Sequence, residues 1–525
     1  MNYQPHESKV PVSQSINTKN DSTTGAPALP RSAFPWIPDQ GDGTFANPVI
    51  HADYSDPDVI RVGNDFWMVA SSFNCTPGLP ILHSYDLVNW RLVNHAIRQV
   101  PHPSYKEVRP GCGVWAPAIR YHAGKFWIFF PLPDEGVFVT CAEHPAGEWE
   151  EPWCLTEAKG WIDPCPFWDE DGSAYLVHAY AFSRSGLKER IHMRPMSSDA
   201  RSLLGEGREL FHTPHHLYLE GPKVHKFGDW YYIMCPGGGV PTGWQVAFRS
   251  RNIWGPYEEK VVLEQGKSPI NGPHQGAFVD SPDGRFWFVH FQDKGVFGRI
   301  IHLQPVNWVD DWPQCGEVKD GLCEPVDTFQ KPVQGFLREQ PATSDDFSLP
   351  DLGLQWQWQA NHSPDWHSLI ERTGFLRLYP GTGDPTRIFR YPRFLGQKFP
   401  AESFTVAGRL DARGAIPGSI AGLGLIGGDQ SHFIGLKRLE EGAEWVLGTP
   451  NRIVSLGHTS DLEVDLGVSL QADGSFRFIR PSAASQETFT AISGGWMGAK
   501  VGLFHLITDS MHLAGHADFG PFKFC

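Results

Sequence analysis

The sequence predicts an all-β chain, a five-bladed β-propeller followed by a jelly-roll-like β-sandwich. Two observations predict it. First, an aromatic signature just after a Gly opens an apolar strand five times: Asp65-Phe66-Trp67, Lys125-Phe126-Trp127, Ser173-Ala174-Tyr175, Asp229-Trp230-Tyr231 and Arg285-Phe286-Trp287. The aromatics ending each copy stand 60, 48, 56 and 56 residues apart, and a repeat of this length built from short strands and Gly turns marks one propeller blade per copy. Second, from Asp345 onward the pattern changes to short alternating strands separated by turns, which marks a sandwich. At 525 residues the chain exceeds what one hydrophobic core sustains, so at least two units are expected.

Taken in order, residues 1–43 lack periodicity, are rich in Ser, Thr, Asn and Pro, and end in Gly41-Asp42-Gly43, reading as a flexible arm. Residues 44–340 form the propeller, with strand runs such as Phe66-Trp67-Met68-Val69-Ala70 and Phe126-Trp127-Ile128-Phe129-Phe130 and no long amphipathic helix. Within this span, the Pro- and Gly-punctuated stretch from Asp310 to Pro341 reads as a linker to the second unit. Residues 341–525 form the sandwich, with strands expected at Gly374–Leu378, Phe404–Leu410, Ile420–Ile426, Leu462–Leu466, Phe476–Ile479 and Val501–Phe504.

The phase of the repeat points to a site. Stepping back 11 to 13 residues from each repeat aromatic gives Asp56, Trp115, Asp163, Glu220 and His274. Equivalent positions in successive blades surround one axis, so three carboxylates, an indole and an imidazole are expected at one end of a central channel. Taken singly, Asp-Pro is an ordinary turn pair, Glu before Gly-Pro an ordinary turn residue, and a loop His usually a hydrogen-bonded one. Three acids among five equivalent positions are improbable by chance in a chain with 59 acids among 525 residues. Cleaving a glycosidic bond needs one carboxylic acid to protonate the leaving oxygen and one carboxylate to activate water or attack carbon. Glu220, followed by Gly221-Pro222 and an apolar strand, has surroundings able to raise its pKa. Asp56 and Asp163 each precede a Pro, which favours extended backbone at the carboxylate.

Composition narrows the partners. Net charge is −15 with no basic tract, so nucleic acid and anionic membranes are poor partners, and no apolar run of about 18 residues is present to span a bilayer. The 20 Trp suit stacking on sugar faces as well as blade packing. Nine scattered cysteines, an odd number without metal-ligand spacing, read as reduced thiols. With no apolar signal core at the N-terminus, a cytoplasmic protein is expected.

Several segments together resemble glycoside hydrolase family 43. They are Asn47-Pro48-Val49-Ile50, Asp56-Pro57-Asp58-Val59, Ser71-Ser72-Phe73, Leu82 to Trp90, Val114-Trp115-Ala116-Pro117, Ile162-Asp163-Pro164, Glu220-Gly221-Pro222-Lys223, Gly298-Arg299 and Leu303-Gln304-Pro305-Val306. The likeness covers roughly residues 44 to 320. The tail from Asp345-Asp346-Phe347 to Ala517-Asp518-Phe519 resembles the sandwich of that family's β-xylosidase branch. The resemblance implies an exo-acting, inverting hydrolase that releases a terminal pentose, β-D-xylose or α-L-arabinofuranose, from short oligosaccharides. It implies Asp56 as general base, Glu220 as general acid and Asp163 as the group that orients the acid and adjusts its pKa, with Phe73, Trp115 and Arg299 lining the sugar site. It places His274 in the substrate channel beside a hydrated calcium ion, whose shell would be completed mostly by water. Asn74-Cys75 stands where an acidic residue and Trp often follow, Gly243-Trp244 where a His is common, and Gly272-Pro273-His274-Gln275-Gly276 is an unusual histidine loop. An endo-arabinanase and a non-catalytic sugar-binding propeller are the alternatives; a lectin needs the aromatics but not three acids in register.

Overall fold

The computed structural model describes residues 34–481, 487–508 and 513–525, and the rest of the expected N-terminal arm lies outside the described residues. Five four-stranded antiparallel sheets follow one another, each a meander of consecutive strands. In the first blade the strands are Asp58–Val62, Asp65–Val69, Gly78–Ser84 and Trp90–Ile97. The other blades begin at Ala118–His122, Trp161–Trp168, Lys223–Phe227 and His274–Asp280. The repeated aromatic signature falls on or at the start of the second strand of every blade, and the residues upstream of it lead into or open the first.

Strand periodicity explains the ring. Side chains alternate between the two faces of a strand, and both faces of a blade meet a neighbour. Phe66 and Met68 pack with Ala277, Trp287 and Val289 of the fifth blade. Trp67 and Val69, one residue out of phase, pack with Ile119, Phe126 and Ile128 of the second. The runs that read as continuously apolar are therefore buried on both sides, as a blade requires.

The ends of the ring correct two expectations. Thr44–Ala46 pairs antiparallel with Thr328–Gln330, closing the propeller. The stretch expected as a linker thus contains this strand, the outer strand Trp312–Cys315 of the fifth blade and a hairpin of Glu317–Lys319 with Leu322–Glu324. Pro and Gly there make turns between short strands. Nor do residues 34–43 hang free: Trp36 Nε1 donates to Pro48 O at 2.8 Å. Asp39 is buried and receives Lys331 Nζ at 2.5 Å, while the same ammonium lies 2.8 Å from Asp86. One indole and one buried ion pair anchor a segment whose average composition is that of an arm.

The sandwich has two largely antiparallel sheets. One carries Leu395–Lys398, Lys500–Ile507, Ile420–Gly427, Gln430–Arg438, Ala443–Thr449 and Arg452–Thr459; the other is built around Ala517–Phe519, Phe404–Asp411, Glu463–Leu470 and Ser475–Ile479. Their facing Leu, Val and Phe side chains form one core. Backbone pairing joins the two units directly: Thr76 and Trp358 exchange N–H···O bonds of 3.0 and 2.7 Å. Asn361 adds a reciprocal amide pair to Val100, at 2.8 and 2.9 Å.

Candidate active site

At one end of the ring a pocket is lined by Asp56, Phe73, Trp115, Ala116, Ile162, Asp163, Glu220, Gln275, Arg299 and Trp496, and encloses about 390 Å³ including its open mouth. That is near the lower end for ligand pockets and suits one sugar ring. Six of the seven residues picked from the sequence line it. His274 does not; it is buried behind the acids, with Nε2 3.8 Å from Glu220.

Asp56 sits immediately before the first strand of blade one. Its Oδ2 accepts Ser55 Oγ at 2.7 Å and Ser71 Oγ at 2.6 Å, and its Oδ1 accepts Arg299 Nη1 at 2.9 Å. A carboxylate holding three donors, one of them a guanidinium, is fixed in orientation. Asp163 is 2% exposed and accepts Gly221 N–H at 2.7 Å. Burial first, and then the charge of Asp56, push its pKa up to about 6. Glu220 is pushed up to about 8, by burial in the pocket and then by Asp163. Its side chain retains 30% of its surface and lines the pocket.

The proton therefore rests on Glu220 near neutral pH, as a general acid requires. Blade position fits the division of labour. Asp163 and Glu220 belong to adjacent blades, and the Asp163 carboxylate bonds the amide next to Glu220. Asp56 and Glu220 belong to blades that are not adjacent.

The extended backbone expected at Asp56 and Asp163 is overturned: φ is +57° at Asp56 and +55° at Asp163, both left-handed. Phe73 is also left-handed, with φ of +52°. A residue before Pro avoids the right-handed helical region, and here the escape is to the left-handed one, which turns each carboxylate inward at the strand entry. Such strain persists only where the surroundings enforce it; for Phe73 they do, through reciprocal 2.9 Å backbone bonds with Val114.

Arg299 is held three ways. Nη1 donates to Ser55 as well as Asp56, its guanidinium lies over Phe291 and Trp496, and its N–H donates to Asp53 at 3.0 Å. Gly298 before it has φ of +76°, and a Cβ there would meet Asp53 Cγ at 2.4 Å. Asp53 also accepts Gly498 N–H at 2.9 Å, so one carboxylate ties Arg299 to the sandwich loop bearing Trp496.

Of the four lining residues not picked out in the sequence, Ala116, Ile162, Gln275 and Trp496, the last two carry polar or aromatic groups. Gln275 neighbours His274 and hydrogen-bonds Asp163, but as the residue beside a histidine it carried no separate signal. Trp496 comes from Gly494-Gly495-Trp496 in the sandwich, its ring 6.2 Å from that of Trp115. A lone aromatic between glycines, far downstream, is the only trace it leaves. It supplies an aromatic wall on a site where Asn74-Cys75 provide none.

His274 Nδ1 and Nε2 both lack protein partners, and burial with the nearby Arg299 cation lowers its pKa to about 3. A neutral imidazole with unsatisfied nitrogens is available to a metal or to water. Elsewhere in the fourth blade, His215, His216 and Glu259 also cluster. There Trp244 Nε1 donates to His216 Nδ1 at 3.1 Å, which leaves the proton on Nε2 facing Glu259 and disfavours metal ligation.

Residues 45–313 match the sequence profile of glycosyl hydrolases family 43, and residues 344–525 that of the β-xylosidase C-terminal concanavalin A-like domain. A protein of Xylanibacter ruminicola, provisionally named beta-xylosidase, is 41% identical over 88% of this chain and 86% of its own length. The non-reducing end alpha-L-arabinofuranosidase BoGH43B of Bacteroides ovatus is 32% identical over 74% of this chain and 75% of its own. The crystal structure of the GH43 BlXynB protein from Bacillus licheniformis superposes with a TM-score of 0.80 at 25% identity, covering 92% of this chain and 99% of that one. With both of its units matched and its three acids gathered in one pocket, this chain belongs to the glycosyl hydrolases of family 43.

Proposed function

We propose that the enzyme is an exo-acting, inverting glycosidase that removes a terminal pentose, β-D-xylose or α-L-arabinofuranose, from the non-reducing end of short oligosaccharides. The observation that carries this is the pocket itself: Trp496 from the sandwich closes one side of a cavity sized for one sugar. An endo-acting arabinanase needs an open groove instead.

Asp56, held by Ser55, Ser71 and Arg299, takes a proton from a water that attacks the anomeric carbon. Glu220 delivers its proton to the departing oxygen. Asp163 stays off the reacting atoms and keeps the proton on Glu220. Trp115, Phe73 and Trp496 offer apolar faces to the ring, and Arg299 and Gln275 offer donors to its hydroxyls. The relatives named for β-xylose and for arabinofuranose removal support both pentoses as candidates.

The orphaned His274 nitrogens fit a hydrated calcium ion, with His274 as the protein ligand nearest Glu220 and water completing the shell. Bound there, the ion would add positive charge beneath the acids. Dialysis against a chelator should lower kcat and added Ca²⁺ should restore it; unchanged kcat would remove the ion from the account. The cysteines are all free, which supports a reducing compartment such as the cytoplasm.

Initial rates on nitrophenyl β-xyloside and nitrophenyl α-L-arabinofuranoside test the reading. Turnover of at least one, with single pentoses as the product of longer chains, is expected. Binding without turnover would make the protein a lectin, and internal cleavage of arabinan would make it endo-acting.

A further inference from the structure

Between propeller and sandwich, beside the pocket but outside the reaction, Lys500 Nζ lies 2.6 Å from Cys75 Sγ. No other nitrogen–sulfur contact among those described is as close: Arg120 to Cys165 is 3.0 Å, Arg184 to Cys112 is 3.9 Å, and Lys125 to Cys141 is 4.0 Å. Both partners are buried, Cys75 at 0% and Lys500 at 5% exposure. Neither reaches the other by chance flexibility. Cys75 N–H is bonded to Ser72 O, and the next residue, Thr76, pairs with Trp358; Lys500 opens a strand paired on both sides.

The geometry points to a covalent lysine–oxygen–cysteine bridge between Lys500 Nζ and Cys75 Sγ, formed by peroxide and undone by thiols. The separation is too long for a direct N–S bond and shorter than an ordinary N–H···S contact, yet it is what a single bridging oxygen, bent at its ordinary angle, would span. A cleft lined by Asn74, Gln359, Trp496 and Lys500 reaches Lys500 and the residue before Cys75 from solvent, which brings peroxide beside the pair.

Chemistry on the sulfur comes first. The thiolate attacks one peroxide oxygen, giving a sulfenic acid and water. A second peroxide then removes the sulfenic O–H hydrogen and one N–H hydrogen as the N–O bond forms, leaving two waters. Thiol, amine and two H₂O₂ thus yield the bridge and three waters, with sulfur and nitrogen oxidised and peroxide reduced.

The bridge has a consequence for the site. Cys75 is two residues beyond Phe73 and Lys500 four beyond Trp496, so it would fasten the two pocket walls that come from different units. Peptide mapping by mass spectrometry of the full-length protein, after peroxide and again after dithiothreitol, tests it. The expected product is one cross-linked peptide joining Cys75 to Lys500, heavier than the two free peptides by one oxygen less two hydrogens, about 14 Da, and lost on reduction. It should be missing from Cys75→Ser and from Lys500→Arg, which keeps the positive charge. A cross-link without oxygen would overturn the bridge in favour of a sulfenamide. Oxidation of Cys75 with Lys500 unmodified would overturn it altogether.

Discussion

Among the residues, Glu220 and Asp56 should separate by leaving group. A general acid matters most when the departing oxygen is a poor leaving group, whereas the base activates water for every substrate. Glu220→Gln should cripple xylobiose or arabino-oligosaccharide hydrolysis by about 10²- to 10⁴-fold while sparing a dinitrophenyl glycoside. Asp56→Asn should depress both alike, and the reverse pattern in parallel kinetics would swap the roles. Asp163 raises the pKa of Glu220, so Asp163→Asn should move the basic limb of the kcat/KM profile to lower pH. A limb that stays in place would remove Asp163 from control of the proton. The raised Glu220 pKa also costs stability: the unfolded carboxyl ionises above about 4.5 while the folded one holds its proton to about 8. Stability attributable to Glu220 is therefore lost as pH rises between those values, and Glu220→Gln should gain in melting temperature over the parent from pH 5 to pH 8. Melting curves at the two pH values check the sign.

Among the elements, what could be read from the chain and what could not divide by range. The blade aromatics and the five upstream positions were legible because they repeat, and alternation along Phe66-Trp67-Met68-Val69 predicts contacts on both blade faces. The left-handed turns at Asp56 and Asp163 were not legible, because Pro restricts the preceding residue without choosing between the extended and left-handed alternatives. The strand Thr328–Gln330 was hidden by the Pro and Gly turns around it, its partner lying at the other end of the propeller. Trp496 was hidden for a similar reason: its neighbours in space are blade loops hundreds of residues upstream. Replacing it tests whether the sandwich completes the pocket. Trp496→Ala should raise KM on the order of tenfold, the worth of about 1.4 kcal/mol of aromatic contact, with kcat changed less. Unchanged KM would confine the sandwich to a structural role.

For the whole molecule, a propeller must be closed, and here the terminal strand pair and Lys331 between Asp39 and Asp86 add to the packing of the first blade on the fifth. Removing one partner of a buried ion pair leaves an uncompensated charge and costs about 3–5 kcal/mol. Lys331→Met should accordingly lower the melting temperature by about 3–8 °C; a shift under about 1 °C would show that the ring closes without it. A ring of five blades also sets the chemistry, since Asp56 and Glu220 sit on blades with one between them. The proposed mechanism requires this placement to leave room for water opposite the leaving group, and inverting enzymes separate their carboxyls by roughly 6.5–9.5 Å for this purpose. Proton NMR of the sugar first released from an aryl β-xyloside, or from an aryl α-L-arabinofuranoside if that is the substrate, tests this claim most directly. The account predicts the inverted anomer, α-xylose or β-arabinofuranose, before mutarotation, and initial release of the retained anomer would contradict it.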